Sequence, residues 1–349
     1  MNNRVLYFLS GILFATASFN FAGLALAQGN NGEPHVFLQK YFGFTSSELI
    51  ALDRGKVVSR IPKTADRSDV ATLGVTRLFV PTEVFLEKFR DIVSFKRSAY
   101  VWQIGKFSAV PNIEDLRGLT LDEDDFRDLR TCRIGACDLK LPANTINRLS
   151  REINWSSPQA RRQVDALLRQ TIMDYVTAYL RGGHAALGDY YDQPSPVRPE
   201  AEFKAMLYQS PYLSDYAPEF YRYLAEYPRA GLPAGENFIY WAKEKFGYKP
   251  VITLYHVTIY KRRFGNAESV MIASRQIFAT HYYEASLGLT ILVSRAGEPG
   301  AYLLYLNRTR VNALRGWAGR LMRPFIQREL LSNTEKLLGQ LRRRLESGN

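Results

Sequence analysis

The chain has 349 residues and a formal net charge of +12, from 46 Lys and Arg against 34 Asp and Glu. Hydrophobic residues make up 46% and aromatics 13%, which is ordinary for a folded protein and too apolar for a disordered one. Two cysteines exclude a disulfide-dense small scaffold, and a single long apolar run, at the N-terminus, excludes a multi-pass membrane protein.

That run reads as a removable signal peptide over residues 1–27. Arg4 supplies the positive start, the apolar stretch begins at Val5, and Ala25-Leu26-Ala27 precedes Gln28 as a small-x-small cleavage signal. No Cys follows Ala27, which argues against a lipid-anchored N-terminus. The expectation is export to a periplasmic or extracellular space, with a lead-in over residues 28–54. An uncleaved anchor is the other reading of the same residues.

Next come two extended segments rich in β-branched residues, Lys56 to Ile61 and Val70 to Val80. Pro81 and Thr82 open a short helix in which Val84, Phe85, Phe89 and Ile92 fall at helical spacing. Ser98 to Val110 reads as extended again. From about Asn112 to Phe246 the pattern predicts helices. Asp122, Glu123, Asp124 and Asp125 crowd a helix start, where the dipole favours negative charge; their contiguous spacing is wrong for a calcium loop. Cys132 and Cys137 flank Gly135, and export predicts a local disulfide between them. Ser157-Pro158 starts a longer helix with a stripe from Val164 through Tyr179, ended by Gly182-Gly183. After the Pro-rich stretch 188–200, short helices are predicted to carry many aromatics, including Phe203, Tyr208, Phe220, Tyr223, Tyr240 and Trp241.

Pro250 marks a return to strands. Residues 251–263, 269–284, 287–295 and 301–311 are joined by short Gly-containing links, so an antiparallel meander is expected. A basic helix is predicted from about Arg310 to Leu345, broken or kinked at Pro324.

This order resembles the helix-grip fold of the START and pollen-allergen-like (SRPBCC) lipid-binding superfamily. The resemblance rests on Val70 to Phe95, a strand then a helix, and on Pro250 to Leu345, a meander then a terminal helix. It implies an α+β fold in which a curved antiparallel sheet wraps the long C-terminal helix, with residues 55–111 and 248–346 forming the START-like domain and 112–247 a mainly helical insertion. A separate helical domain followed by an α+β domain is the alternative. The resemblance also implies a hydrophobic cavity. Tyr282, Leu287, Leu289, Ile291, Tyr302 and Tyr305 are candidates for its lining, subject to a register in which a one-residue slip reverses every face. His256, Arg275 and His281 are candidate polar contacts for a ligand.

The chain holds 4 His, none paired at metal-ligand spacing, and no Gly-x-Ser-x-Gly elbow, so no metal, cofactor or nucleophilic set is expected. The segment from Arg308 to Asn349 holds ten Lys and Arg against three Glu, +7 of the total +12. Within it Val311, Leu314, Trp317, Ala318, Leu321 and Phe325 share a helix face. Arg320 and Arg323 fall opposite, with Arg315 on the flank. The stripe either packs on the sheet or, with Trp317, Arg315, Arg320 and Arg323, lies on an anionic membrane surface. Export speaks against nucleic acid as the partner of this charge.

The functional expectation is an exported, non-catalytic binding protein for a lipid or another apolar molecule. The alternatives are a cyclase- or aromatase-like enzyme using His256, His281, Arg275 and Glu284 in the same cavity, and an envelope structural or interaction protein.

Overall fold

The computed structural model describes residues 34–245 and 249–347. The expected signal peptide, its cleavage point between Ala27 and Gln28, and the start of the lead-in lie outside the described residues.

In chain order the elements are α1 (Pro34–Phe42), α2 (Ser46–Asp53), β1 (Val58–Arg60), β2 (Asp69–Leu78), α3 (Thr82–Arg90), α4 (Ile92–Phe95) and β3 (Val101–Lys106). Then follow α5 (Glu123–Asp128), α6 (Ala143–Glu152), α7 (Ala160–Gly182), α8 (Pro199–Tyr208), α9 (Pro211–Tyr216) and α10 (Pro218–Glu226). The chain returns to strands in β4 (Glu236–Glu244), β5 (Val251–Phe264), β6 (Ala267–Ala279), β7 (Tyr283–Arg295) and β8 (Ala301–Val311), and ends in α11 (Trp317–Glu346).

The early and late strands join in one eight-stranded antiparallel sheet that curls without closing, in the order β1-β2-β8-β7-β6-β5-β4-β3. The β2–β8 pairing runs from Asp69 opposite Arg310 to Leu78 opposite Ala301. The long-range pairing of β2 with β8 therefore joins an early strand to the last one across the intervening helices.

Two expectations are corrected. Residues 236–244 form β4 and not a helix. Both faces of β4 are covered, so Ile239 and Trp241 are apolar on one side while Tyr240 and Ala242 are apolar on the other, and the period-2 signal vanishes. The terminal helix starts at Trp317, because residues up to Val311 are held in the ladder with β7 and β2. It runs without a break through Pro324, although Pro324 offers no N–H to its preceding turn.

Alternation sorts the side chains. On the first face Leu73, Val75, Leu254, Ala273, Leu289, Ile291, Leu304 and Leu306 meet α1, α2 and the helices of the insertion. On the second face Val257, Ile259, Val270, Ile272, Leu292 and Leu303 meet Phe85, Leu86 and Phe89 of α3, Ile92 of α4, and Leu338 and Leu345 of α11. Each fully buried leucine of this kind contributes roughly 1.5–3 kcal/mol.

Local chemistry fixes the ends of the helices. Asp122 caps α5 by accepting from Asp125 N, and Thr45 and Glu48 form a reciprocal capping box on α2. The Asp122–Asp125 run is therefore a helix start. The Cys132–Cys137 disulfide closes the small loop around Gly135.

Gly74 seats α11. A Cβ there would stand 2.5 Å from Leu338 and from Thr334, whose hydroxyl lies 3.0 Å from that of Thr72 on the same strand. Replacing Gly74 by Leu should cost ~1–3 kcal/mol through overpacking. Denaturant unfolding checks this; an unchanged midpoint would show that α11 is not held at β2.

Candidate functional site

The site begins from an asymmetry between the two faces. β5, β6, β7 and β8 are interior strands, and most of their first-face residues are buried; Tyr260, Arg262, Phe264 and Arg295, near the strand ends, keep part of their surface accessible. On the second face Tyr255, Ser274, Gly288, Thr290, Tyr305 and Asn307 keep part of their surface accessible. They form one patch: Thr290 pairs with Tyr305, Gly288 with Asn307, and Ser274 with Gly288. The helices thus cover the first face and leave a window on the second.

The walls of the window follow from what each helix holds. α3 lies across Leu78, Ile259, Ile272 and Leu303 at one end. Beyond α4, Lys96 places its ammonium 5.9 Å from the Tyr255 ring centre and 3.9 Å from Glu244. α11 lies along β2. Its Glu335 bonds Ser59 of β1, and Phe79 N donates to its Glu346. Helical geometry puts Leu330, Leu337 and Leu341 on the flank turned away from β1, towards the window.

Tyr255, Tyr283 and Tyr305 are densely surrounded and keep part of their surface accessible. Burial pushes all three phenols above their ordinary range, so they are neutral hydrogen-bonding groups at neutral pH. Tyr255 stacks on Tyr240 at 5.1 Å between ring centres. Gln276, opposite Tyr255, is buried with its Oε1 lacking a partner among the described residues. Glu244 is buried beside Thr253. The window thus has a mixed floor, tyrosine rings among small and polar residues, beside an aliphatic wall; apolar surface with a few polar groups suits an apolar molecule.

The residues expected at a ligand are spread over three places. Tyr305 lies at the window. His256 and Arg275 are cross-strand partners, but on the first face. There His256 Nδ1 lies 2.8 Å from Tyr179 OH, and Nε2 lies 3.0 Å from Asn237 Oδ1, which also accepts from Tyr223 and Thr258. Burial pulls His256 down to about 4, so it is neutral. Arg275 is 2% exposed, with its guanidinium 3.7 Å from the Phe203 ring centre and Nη1 2.8 Å from His184 Nε2. That nitrogen is also 2.7 Å from Leu224 O and can serve only one of the two. Nε and Nη2 of Arg275 have no acceptor among the described residues, and burial draws the group down to about 10.

Tyr302 is also on the first face. It donates to Asp53 and borders, with Phe37, Val75, Tyr216 and Ile291, a void of about 20 Å³, room for roughly one water. Leu287, Leu289 and Ile291 face the same way. His281 and Tyr282 stand at the β6–β7 turn. His281 Nε2 lies 2.9 Å from buried Asp125, and Tyr282 OH bonds both N and O of Lys249. Glu284 pairs with Arg315.

Among the described residues, no group of three or more His, Cys, Asp or Glu could hold a metal ion. None of their helices is long and apolar enough to cross a membrane. Comparison with protein-family models, with curated proteins and with solved structures finds no match to this chain.

Proposed function

We propose that the second-face window is the binding surface for a lipid or other apolar molecule in a helix-grip arrangement, and that the chain is an exported, non-catalytic binding protein. The observation that carries this reading is the accessible patch of Tyr255, Ser274, Gly288, Thr290, Tyr305 and Asn307 in the middle of the second face of the interior strands. Element order supports it. β2, two short helices, a six-stranded meander interrupted by α5–α10 between β3 and β4, and a terminal helix come in that order, with β2 paired to β8.

The cyclase-like alternative draws less support. His256 and Arg275 lie on the opposite face, and His281 is engaged with Asp125. The assembly alternative would be favoured by exposed aromatics on the later insertion helices. Phe203, Phe220 and Tyr223 point inward there, while Tyr208 is exposed.

Gly288 provides the test. A Cβ there meets only ordinary contacts, the nearest 3.6 Å away at Ser274, so the strand accepts a side chain. Gly288→Phe should fill the floor and weaken saturable uptake of a fluorescent fatty acid at least tenfold, with the fold intact by circular dichroism. Unchanged uptake would remove the window as the site.

A further inference from the structure

The first three turns of α11 carry an apolar stripe that nothing on the described chain covers. Trp317 is 78% exposed, Leu321 65%, Met322 52% and Phe325 75%. Trp317, Leu321 and Phe325 are spaced four apart, so they fall within an arc of about 80° on an ideal helix. The line that seats α11 on the sheet is Thr334, Leu338, Leu341 and Leu345. At about 100° per residue the stripe lies on the side away from that line.

The surrounding charge is mainly positive. From Trp317 to Glu329 the chain contains Arg320, Arg323 and Arg328 against one acidic residue, Glu329, one turn beyond Phe325. Arg323 is occupied inside the molecule, donating to Thr64 Oγ1 and to Asp69 O at 2.8 Å each. Arg315 is held by Glu202 and Glu284. These two arginines therefore pin the start of α11 to the body of the protein. Arg320 and Arg328 make no ion pair among the described residues and are exposed. Leu314, expected in the same stripe, is buried against the fold.

We propose that this helical end docks on an anionic lipid bilayer. Trp317, Leu321 and Phe325 enter the boundary between headgroups and acyl chains. Arg328, within the arc of the stripe, and Arg320, whose long side chain leaves the helix about 60° from Trp317, reach lipid phosphates. A convex helix face with large apolar side chains, a Trp and flanking Arg is the form an interfacial helix takes. The excess of Arg over acidic residues in these turns matches a negative surface. A second protein would need a groove to receive the ridge, whereas a bilayer needs none. The inference is independent of the window: it rests on α11 alone.

The test uses the full chain and vesicles of phosphatidylcholine, with and without phosphatidylglycerol. Expected is sedimentation with the anionic vesicles, reversed by high salt. Arg320→Gln with Arg328→Gln should weaken binding about 30-fold, from about 1 kcal/mol for each Arg. Trp317→Ser with Phe325→Ser should abolish it without shifting the melting temperature, since both side chains are exposed. Equal binding to neutral vesicles, or none to anionic ones, would overturn the proposal. So would a concentration-dependent dimer that the Trp317→Ser, Phe325→Ser variant dissolves, or a photocrosslink from position 321 into residues 1–33, since either assigns the stripe to a protein contact.

Discussion

Replacing Asp69 by Ala is expected to lower stability by ~3–5 kcal/mol, because it strands a buried cation. Asp69 is fully buried on β2 and pairs with Arg308 of β8, itself 5% exposed. Arg308 also donates to Met206 O and Gln209 O at 2.9 Å each, at the end of α8. One guanidinium thus ties the β2–β8 pair to the end of α8. Around it Arg310 reaches Glu202 at 2.7 Å, and Arg315 bridges Glu202 and Glu284. Burial pushes the Asp69 carboxyl up, against the pull of Arg308, so desolvation outweighs the attraction. The pair is costly to break and gives little net stability by itself. A double replacement, Asp69→Val with Arg308→Met, should therefore lose less than Asp69→Ala alone. Chemical denaturation of the three proteins decides; a double variant weaker than the single one would contradict this account of the pair.

The second large effect concerns acid. His256 is buried and neutral, with burial holding it at about 4 against an ordinary 6.5. The folded value lies below the unfolded one, so the unfolded chain takes up the proton first. Stability is complete above about pH 6.5 and falls as pH drops towards 4. A difference of 6.5 against about 4 corresponds to on the order of 3 kcal/mol at the acid end. His256→Gln should start less stable at pH 7 and decline less between pH 6.5 and 4. Two parallel stability curves, or a ring that titrates near 6.5 by NMR, would show that His256 is not the neutral centre of this cluster.

How far the sequence reveals this arrangement depends on the element. The disulfide, the capped start of α5, the stripe of α7 and the late meander are local, and the residues that make them are adjacent in the chain. The pairing of His256 with Arg275 was also within reach. The two-residue turn Gly265-Asn266 sets Phe264 opposite Ala267, and counting outward pairs 256 with 275. What counting cannot supply is which face each helix covers. Tyr302 and Tyr305 belong to one strand and end on opposite sides because their separation is odd. β4 escaped notice because a strand covered on both faces has no alternation to detect. The tail stripe looked continuous from Val311 to Phe325. In fact Val311 completes a strand, Leu314 is buried, and only the part from Trp317 faces outward. The seam of β2 with β8 joins residues more than 200 positions apart, beyond any local signal.

The most direct test of the window is a crosslink map. The full chain would be loaded with a photoactivatable fatty acid, irradiated and analysed by peptide mass spectrometry. The account predicts saturable labelling at Tyr255, Tyr283 or Tyr305 and on the Leu330–Leu341 flank of α11, competed by unlabelled fatty acid. Labelling confined to the first face around Tyr302 and Phe37, or no saturable labelling at all, would contradict it.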